Sequence, residues 1–573
     1  MDQELNVFIG PSSVISALGD DLSLTFDALK SGISGLKPQS LSIGADSHSF
    51  FAQLIDDSAL HVTRSDGSTR LEALCVAAAR KVLSQADVSA ADSNFGLVLS
   101  TTKGNISLAD GSLPADDSSP LFLSSMARSI ARQLGVSSQP VVVSNACISG
   151  VAATLVAARL VAARVWSHAL VIAADELSPF ISSGFLGFRS VSPQPCRPYD
   201  MERDGLSLGE AVACVLLSAD KSLSRGFAIS GGSLSDDANH ISGPSRTGEP
   251  LAHAISQAMT QAHIASSDVA FVNTHGTATV YNDEMESKAL ALCGLSSTPL
   301  NSLKPYFGHT LGAAGLLEAL VGTAELAHGA ILPTLGFKSL GTPCPVNISA
   351  HALPVSGHHF IKTVSGFGGC NAAIVVSDDQ HAQPLLSTSH SIWSLARHVS
   401  LSPGSALVDD APLTDVSSSS FPDFIRQAYH AHCQPNMKFF KMDDLSKLGY
   451  VGAELLLQGL PDADPYDTAI LLANHASSLD TDLAYCRMMN AGEANPAKFV
   501  YTLPNIVVGE ICIRHHIKGE SLFIILDGKP SQDALLQHAA TMLDLSNASR
   551  LICGWCEFLD GRFNLDFFLF FKS

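Results

Sequence analysis

Three side chains of this sequence have the types and the positions that nucleophilic and hydrogen-bond chemistry requires. The first is Cys147, which follows the strand-like run VVVSNA and precedes an Ala-rich helical run that starts at about Ser149. The amino end of a helix carries positive dipole charge that stabilises a thiolate, and its free N–H groups can bind an oxyanion. The small residues of NACISG also leave the backbone accessible. Cys147 is therefore a candidate nucleophile, with a buried structural cysteine as the alternative.

Two histidines lie in Gly- and Thr-rich turns after other strand-like runs. His275 lies in VNTHGTAT and His309 in KPYFGHTLGAAG, and Lys304 is close enough in sequence to His309 to share its site. Two neutral imidazoles that face a thiol can hold a carbonyl oxygen with two N–H donors and stabilise an enolate without a metal. A hydrogen bond to loop neighbours is the alternative for each histidine alone. We expect no metal, because no HxxxH or clustered Cys/His spacing accompanies them.

Short apolar runs alternate with amphipathic helical runs along most of the chain. Examples are FGLVLS, LFLSSMARSIARQLG and VVVSNA, and the pattern resumes after about residue 225 and closes with SGFGGCNAAIVVS. This βαβα order predicts a layered α/β fold with a largely parallel sheet. The elements must therefore place the cysteine and the histidines at the ends of strands.

Composition narrows the function classes. The 573 residues are 46% hydrophobic and 15% charged, which excludes a mainly disordered or fibrous chain. The net charge of −20 argues against nucleic acid as a partner. Twelve cysteines without zinc-type pairing, and no secretory signal in MDQELNVFIG, indicate a reduced cytoplasmic protein. The most apolar segment, 151–174, is interrupted by Arg159, Arg164 and His168, so no membrane span is predicted.

The chain also contains an internal repeat. Residues 441–559 repeat the order of elements of 70–176, and aligning their strands puts Gly528 opposite Cys147. A chance repeat in an Ala-rich α/β chain is the alternative. The polar, Pro-containing residues 379–390 are predicted to be a linker before a C-terminal unit, 391–573.

Five motifs in order give residues 1–378 a family resemblance. They are SNACISG (144–150), RPYDMERDGLSLGEA (197–211), NTHGTAT (273–279), NSLKPYFGHTLGAAGLLEA (301–319) and SGFGGCNAA (365–373). With these motifs the sequence resembles the β-ketoacyl-acyl carrier protein synthases, the condensing enzymes of fatty acid and polyketide synthesis. The resemblance implies a thiolase-like layered αβαβα fold of two similar halves, which we place at 1–220 and 221–378.

The resemblance also implies a role for particular residues. Cys147 would accept the acyl group, and His275 and His309 would bind the malonyl thioester carbonyl and steady the enolate. No cofactor is implied, because phosphopantetheine arrives on the acyl carrier protein. Lys304 and Glu318 would be supporting polar groups of the catalytic site, and Thr277 and Thr279 would contact pantetheine. Gly366, Phe367 and Gly368 would bind substrate as the gate beside the nucleophile. Asp283 and Glu286 match acidic residues of the family, with a structural salt bridge as the alternative. Cys370 departs from the usual Thr, and we interpret it as a buried small residue.

The C-terminal unit, 391–573, resembles the N-terminal half of a ketosynthase. In particular it is similar to truncated chain-length-factor-like proteins that partner ketosynthases in aryl polyene pigment clusters. The residues that carry this resemblance include KFFKMDDLSKLGYVGAELLL and NPAKFVYTLPNIVVGEICIRHHIKGES. No NxHGT or GHxxGAAG motif follows, and Gly528 stands in place of a nucleophile. We therefore expect a third, inactive half-unit of the same type.

The sequence thus predicts a decarboxylative condensing enzyme that makes 3-oxoacyl-acyl carrier protein. A non-catalytic chain-length factor or scaffold, and a thiolase-type acyltransferase, are the alternatives. We expect an acidic carrier protein to dock on a local basic patch, with Arg64, Arg70 and Arg189 as candidates. We further expect SLFIILD to pair with PVVVSN, which would give a pseudo-dimer within one chain or between two chains.

Overall fold

The computed structural model describes residues 5–57, 67–385 and 391–573, and in these ranges it contains three units of similar topology. The elements of the first unit are β1 (Val7–Ile15), α1 (Leu22–Lys30), β2 (Lys37–Ile43), β3 (Asp46–Gln53), α2 (Arg70–Leu83), β4 (Phe95–Ser100), α3 (Leu123–Leu134), β5 (Val141–Val143), α4 (Ser149–Ala162), β6 (His168–Asp175), α5 (Pro179–Gly187), β7 (Leu208–Gly209) and β8 (Ala211–Ser218).

The second unit carries the two histidine turns. Its elements are β9 (Phe227–Asp236), α6 (Glu249–Gln261), β10 (Val269–Asn273), α7 (Val280–Leu292), β11 (Pro299–Asn301), α8 (Lys304–Phe307), α9 (Ala314–His328), β12 (Ala330–Ile331), β13 (Asn347–Ile348), β14 (Leu353–Pro354), β15 (His359–Ser365) and β16 (Cys370–Asp378).

The third unit begins after the connecting segment. Its elements are β17 (Trp393–Ser402), β18 (Ser405–Val408), β19 (Ala411–Pro412), α10 (Phe421–His432), α11 (Asp444–Leu457), β20 (Thr468–Asn474), α12 (Leu479–Asn490), α13 (Pro496–Val500), α14 (Ile506–His515), β21 (Ser521–Ile525), α15 (Gln532–Met542), β22 (Arg550–Leu559) and β23 (Arg562–Lys572).

Each unit has the same five-stranded sheet. The strand orders are β5-β4-β6-β8-β1, β11-β10-β15-β16-β9 and β21-β20-β22-β23-β17. The first three strands of each order are parallel and the last two pairings are antiparallel. The predicted α/β fold with a third similar unit is confirmed. The expectation of a largely parallel sheet is wrong for the last two strands, because short connections such as the turn at Asp560 and Gly561 can only join antiparallel neighbours.

Small residues let the central helices of the first two units approach closely. A Cβ on Gly150 of α4 would lie 2.8 Å from the Leu316 backbone nitrogen of α9, and one on Gly315 would lie 2.7 Å from the Val151 nitrogen. Every residue of α4 is buried. The Ala- and Gly-rich composition therefore reflects a packed middle layer of helices between sheets.

The third unit is joined to the first along a strand edge, as predicted, and within one chain. β21 pairs antiparallel with β5, with Ile524 opposite Val143. Next to this pairing, the side-chain oxygen of Asn145 accepts a hydrogen bond from the Phe523 N–H at 3.1 Å. The sheet of the third unit thus reaches the segment that carries Cys147.

None of the helices in the described ranges combines the length and the apolar character that a bilayer span requires.

Candidate active site

The carboxyl ends of three strands bring the predicted cysteine and histidines together. Cys147 lies in a single 3₁₀ turn between β5 and α4, and Ala146 before it has a φ of 46°. His275 follows β10, and His309 follows β11 and the short helix α8. All three side chains are buried. The left-handed backbone at Ala146 marks the sharp turn that directs the thiol toward the second unit.

The three side chains line one cavity of about 260 Å³. The Sγ of Cys147 lies 3.0 Å from the Nε2 of His309. The rings of His275 and His309 lie 5.1 Å apart, nearly perpendicular to each other. One donor atom from each of the three residues lies within 4.8 Å of the others, so the cluster could also hold a metal ion.

The hydrogen bonds of His309 assign its tautomer. The Leu311 N–H points at Nδ1 from 3.3 Å, so Nδ1 accepts and the proton of a neutral ring is on Nε2, toward the thiol. Burial, with the positive charges of Lys304 and Lys362, lowers the pKa of His309 well below its ordinary value, and the pKa of His275 is lowered in the same way. Both imidazoles are therefore neutral near pH 7 and can present N–H donors to a carbonyl oxygen.

Burial is also the main influence on the pKa of the Cys147 thiol. It raises the pKa of Cys147 to about 12, against the opposing effects of the Lys304 charge and of hydrogen bonds from the backbone N–H groups of Phe367 and of Cys147 itself. The expectation that the helix end keeps a thiolate is therefore corrected to a resting thiol, because the loss of water outweighs the local donors. Because the same two N–H groups lie next to the sulfur, they are candidates to bind the carbonyl oxygen of an acyl group attached there.

Two buried lysines share one carboxylate behind the histidines. The Nζ of Lys304 lies 2.6 Å from Oε1 of Glu318, and the Nζ of Lys362 contacts Oε2 of the same residue. Lys362 also donates to the Asn273 side chain at 2.7 Å. Burial lowers the pKa of Lys362 to about 8. The sequence analysis missed Lys362, although a lone charged residue inside the apolar strand HFIKTVS was a usable signal.

Buried acids hold the loops that carry the site. Glu286 accepts hydrogen bonds from the backbone N–H groups of His275 at 2.9 Å and Gly276 at 2.7 Å. Asp283 accepts from the Tyr199 N–H and lies 3.8 Å from the Arg203 side chain, which makes it the structural ion pair that was the alternative. The sequence analysis also missed Asp175, which accepts hydrogen bonds from the loop after β4 and from the turn after His309.

Most of the residues that the resemblance assigns to pantetheine contact and to the gate line the cavity. Thr277 and Thr279 line it, and their hydroxyls lie 2.9 Å apart. Phe367 and Gly366 line it as well, and a Cβ on Gly366 would lie 3.1 Å from the Cys147 backbone nitrogen. Gly368 does not line the cavity, but its φ of +95° is the left-handed conformation that the turn needs.

Cys370 is buried and donates from its Sγ to the Phe367 carbonyl at 3.3 Å. Burial raises the pKa of its thiol well above the ordinary value, with the nearby Asp236 and Cys147 as further causes. The group therefore packs as a small neutral residue under the loop 366–369.

The third unit contacts this gate loop directly. Asn505, next to the start of α14, donates to the Phe367 carbonyl at 2.8 Å. The carbonyl of Gly368 would lie 2.5 Å from a Cβ on Gly509, so α14 lies against the loop backbone. These contacts could not be found from the sequence, because they depend on how two distant units pack.

An aromatic cluster closes the cavity on the side of the third unit. Phe185 lines the cavity and makes an edge contact with Phe499 of α13, with ring centroids 5.6 Å apart. Phe499 also lies against Gly184, where a Cβ would be 2.3 Å from its ring. Tyr485 of α12 packs edge-on against Phe180 and contacts the Ser183 hydroxyl at 3.0 Å.

The three arginines expected to dock a carrier protein have different outcomes. Arg64 lies outside the described residues. The expectation for Arg70 is corrected. Its guanidinium contacts Asp57, Glu176 and Glu210, so three carboxylates already compensate the positive charge that docking would need. Arg189 is exposed, with a φ of 55°, and lies between two residues that line the cavity mouth. Of the two arginines that the structure describes, Arg189 is the one beside the cavity, and its role in carrier docking stays a prediction.

The layered fold and the Cys-His-His site together define a thiolase-like ketosynthase. Residues 28–222 match the beta-ketoacyl synthase N-terminal domain, and residues 227–338 match the beta-ketoacyl synthase C-terminal domain. These two matches cover more than half of the chain, which therefore belongs to the beta-ketoacyl synthase family.

Curated relatives resemble parts of the first two units. The chain is 34% identical over 187 residues to a 3-oxoacyl-acyl-carrier-protein synthase 2 of Mycobacterium leprae, covering 31% of this chain and 44% of that protein. It is 31% identical over 208 residues to the polyketide biosynthesis malonyl-ACP decarboxylase PksF of Bacillus subtilis, covering 34% of this chain and 48% of that protein. The chain thus spans less than half the length of either relative.

A solved structure resembles all three units. The PfaC keto synthase-chain length factor matches with a TM-score of 0.79 and 14% identity, covering 99% of this chain and 78% of that one. At this identity the likeness is one of fold.

Proposed function

We propose that this chain is a decarboxylative condensing enzyme that joins a Cys147-bound acyl group to a malonyl unit and releases 3-oxoacyl-acyl carrier protein. The observation that carries the proposal is the thiol of Cys147 lying 3.0 Å from His309 Nε2, with His275 beside it, at the end of one cavity. The likeness to a 3-oxoacyl-acyl-carrier-protein synthase supports the reaction type.

The first half-reaction is acyl transfer. The Cys147 sulfur attacks the thioester carbonyl of an acyl carrier, the N–H groups of Phe367 and Cys147 bind the developing oxyanion, and the S–C bond to the carrier breaks. The cysteine proton leaves with the pantetheine thiol. Because burial raises the pKa of the free thiol to about 12, attack is coupled to loss of its proton rather than to a standing thiolate.

The second half-reaction uses the neutral histidines. His275 and His309 donate N–H bonds to the malonyl thioester carbonyl, so the electron pair released as CO2 departs is held as an enolate. The enolate carbon attacks the acyl carbonyl on Cys147, a C–C bond forms, and the cysteine sulfur leaves and regains a proton. The charges of Lys304 and Lys362 help to keep both imidazoles neutral, Glu318 holds the two lysines, and none of the three contributes an atom to the substrate.

For the third unit we propose the role of a chain-length-factor-like partner. The strand pairing of β21 with β5 supports a pseudo-dimer in cis, and the contact of Phe499 with Phe185, which lines the cavity, supports a role of the third unit at the cavity wall. The unit holds no nucleophile at the position of Cys147, where Gly528 stands. It would therefore limit how far an acyl chain can extend, in an aryl polyene or another polyketide or fatty acid pathway.

Acylation of the intact protein tests the nucleophile. We expect acyl-carrier protein to add one acyl mass to the wild-type chain and none to Cys147→Ala, with Cys370→Ala as the matched control that still becomes acylated. Removal of the small thiol should cost at most about 2 kcal/mol of folding free energy. Acylation of Cys147→Ala would remove the nucleophile assignment, whereas a wild-type chain that is never acylated would favour the scaffold alternative.

A further inference from the structure

A second cluster of metal-ligand side chains lies on the surface of the second unit, outside the cavity. His358 directly precedes β15, Asp378 ends β16, and His381 follows in the segment that leads to the third unit. The two strands pair antiparallel, with His359 opposite Ser377, and the Asp378 N–H donates to the His358 carbonyl at 2.9 Å. The three side chains are therefore held at one end of a hydrogen-bonded strand pair.

Both imidazoles face the same carboxylate. The Nδ1 of His358 lies 2.6 Å from Oδ2 of Asp378, and the Nδ1 of His381 lies 2.7 Å from Oδ1. The two rings are stacked with centroids 3.5 Å apart. One donor atom from each residue lies within 4.8 Å of the other two. Two nitrogens and one oxygen thus converge on a volume the size of a coordinated ion.

We propose that His358, Asp378 and His381 bind a divalent transition-metal ion of the zinc class, with water at the open positions. The two imidazoles favour Zn²⁺, Cu²⁺, Ni²⁺ or Co²⁺, because Mg²⁺ and Ca²⁺ prefer sets of oxygen ligands, and a carboxylate can complete a zinc-class site as well. A bound cation would use one ring lone pair from each histidine and would be balanced by the carboxylate. Both rings are partly exposed, so solvent can reach the open positions of the ion.

The site would fasten the start of the connection between the second and third units. The Asp379 N–H donates to the Gly226 carbonyl at 3.0 Å, and the Leu385 N–H donates to the Leu5 carbonyl at 3.3 Å. His381 lies between these two anchors. A metal that joins His381 to β15 and β16 adds a third anchor, so the ion is assigned a structural rather than a catalytic role.

Metal titration of the untagged full-length protein tests the site. The background is Cys147→Ala, because Cys147, His275 and His309 form the other group of donors close enough to compete within the described ranges. We expect Zn²⁺ to bind at one equivalent by calorimetry, and Co²⁺ to give visible d–d bands at the same stoichiometry. His358→Ala and His381→Ala should each weaken Zn²⁺ binding by at least about tenfold, and His351→Ala is the matched exposed-histidine control.

Asp378→Asn provides a second variant that keeps the shape of the side chain and removes its charge. It should weaken Zn²⁺ binding while the circular dichroism spectrum stays that of the parent. Absence of a stoichiometric Zn²⁺ event, or equal affinity in the His358, His381 and His351 variants, would overturn the proposal. These outcomes are independent of condensation, so the metal site and the proposed activity can fail separately.

Discussion

Two cations and one anion stand behind the catalytic histidines, and this imbalance determines the charge of the imidazoles. Lys304 and Lys362 both lower the pKa of His275 and His309, while Glu318 is shared between the two lysines. Protonation of His309 at Nδ1 would also break the bond from the Leu311 N–H. The site therefore works with neutral rings and should lose activity when they take up protons.

Lys362→Met tests this arrangement. The substitution leaves Glu318 paired with Lys304 and removes one of the two positive charges near the imidazoles. Because removal of a positive charge makes protonation easier, the pKa of both histidines rises, and the acid limb of the pH–rate profile moves to higher pH. Lys362→Arg, which keeps the charge, should leave the limb near its wild-type position. An acid limb that is unmoved or shifted to lower pH in Lys362→Met would contradict the electrostatic account.

The sequence was sufficient to place Cys147, His275 and His309 near the ends of strands, because each comes after an apolar strand-like run. That these ends belong to two different sheets and meet in one cavity depends on how the first two units pack. The sequence was insufficient for the charge states. Whether a thiol at a helix end is ionised depends on how completely water is excluded, and here burial outweighs the helix end. The charge compensation of Arg70 could not be predicted for a related reason, since two of its carboxylate partners, Glu176 and Glu210, are more than 100 residues away in sequence.

At the scale of elements, α13 supplies a side chain that packs behind the lining of the cavity. Phe499 packs on Gly184 and against Phe185, which lines the cavity. The contact between Phe499 and Phe185 could not be predicted from the sequence, because the two residues are more than 300 residues apart and meet only when β21 pairs with β5. The repeat itself was readable, since the order of helices and strands in 441–559 follows that of 70–176.

Phe499→Ala should therefore change the product rather than the chemistry. Removing the ring opens space behind Phe185, so we expect longer 3-oxoacyl products at a similar rate of Cys147 acylation, measured by mass spectrometry of the carrier-bound products. Tyr485→Phe is the matched control, because it removes only the hydroxyl that contacts Ser183 and keeps the ring. An unchanged product distribution in Phe499→Ala would show that the third unit does not limit chain length.

At the scale of the whole molecule, the third unit differs from the first in the helix that corresponds to α4 and in the edge strand that corresponds to β1. All of α4 is buried, whereas in its counterpart α15 only Leu535, Ala539 and Met542 are. The short strand β18 pairs with β17, and β19 pairs with β18, at the place where β1 meets β9 in the first two units. The third unit thus has a more exposed helix face and covers the edge of its own sheet.

A buried ion pair fixes the third unit to the first. Arg159 of α4 makes two hydrogen bonds of 2.8 Å with Glu520, which precedes β21, and both side chains are buried. Glu520→Ala leaves an uncompensated guanidinium and should lower the free energy of unfolding by about 3–5 kcal/mol in chemical denaturation. Lys81→Ala breaks the exposed pair with Asp20 and should cost no more than about 1 kcal/mol. Equal effects of the two variants would argue against a tightly held unit.

The third unit also carries exposed cations next to the cavity mouth. Lys438 and Lys441 line a neighbouring cavity that shares Phe188 and Ser242 with the catalytic one. We propose that these two lysines, together with the exposed Arg189 beside the catalytic cavity, serve as a local basic patch on a chain of net charge −20. An acidic carrier protein would approach this patch through long-range attraction that salt screens.

Reversing two of these charges tests the docking patch. Lys438→Glu with Lys441→Glu should raise the KM for acyl-carrier protein at low salt and reduce its salt dependence, with kcat little changed. Lys221→Glu is the control. Lys221 follows β8, whose last residue pairs with the first residue of β6, so Lys221 lies at the end of the sheet away from Cys147. A KM that responds equally to both changes would reject the patch.

The most direct test of the central claim is a single-turnover assay that follows labelled CO2 and the carrier-bound product together. Wild-type protein, acyl-carrier and malonyl-carrier should yield CO2 and 3-oxoacyl-carrier in equal amounts. His275→Ala and His309→Ala should become acylated on Cys147 yet release no CO2. Release of CO2 without a C–C bond in the wild-type protein, or normal decarboxylation by either histidine variant, would contradict the account of a condensing enzyme whose paired imidazoles hold the enolate.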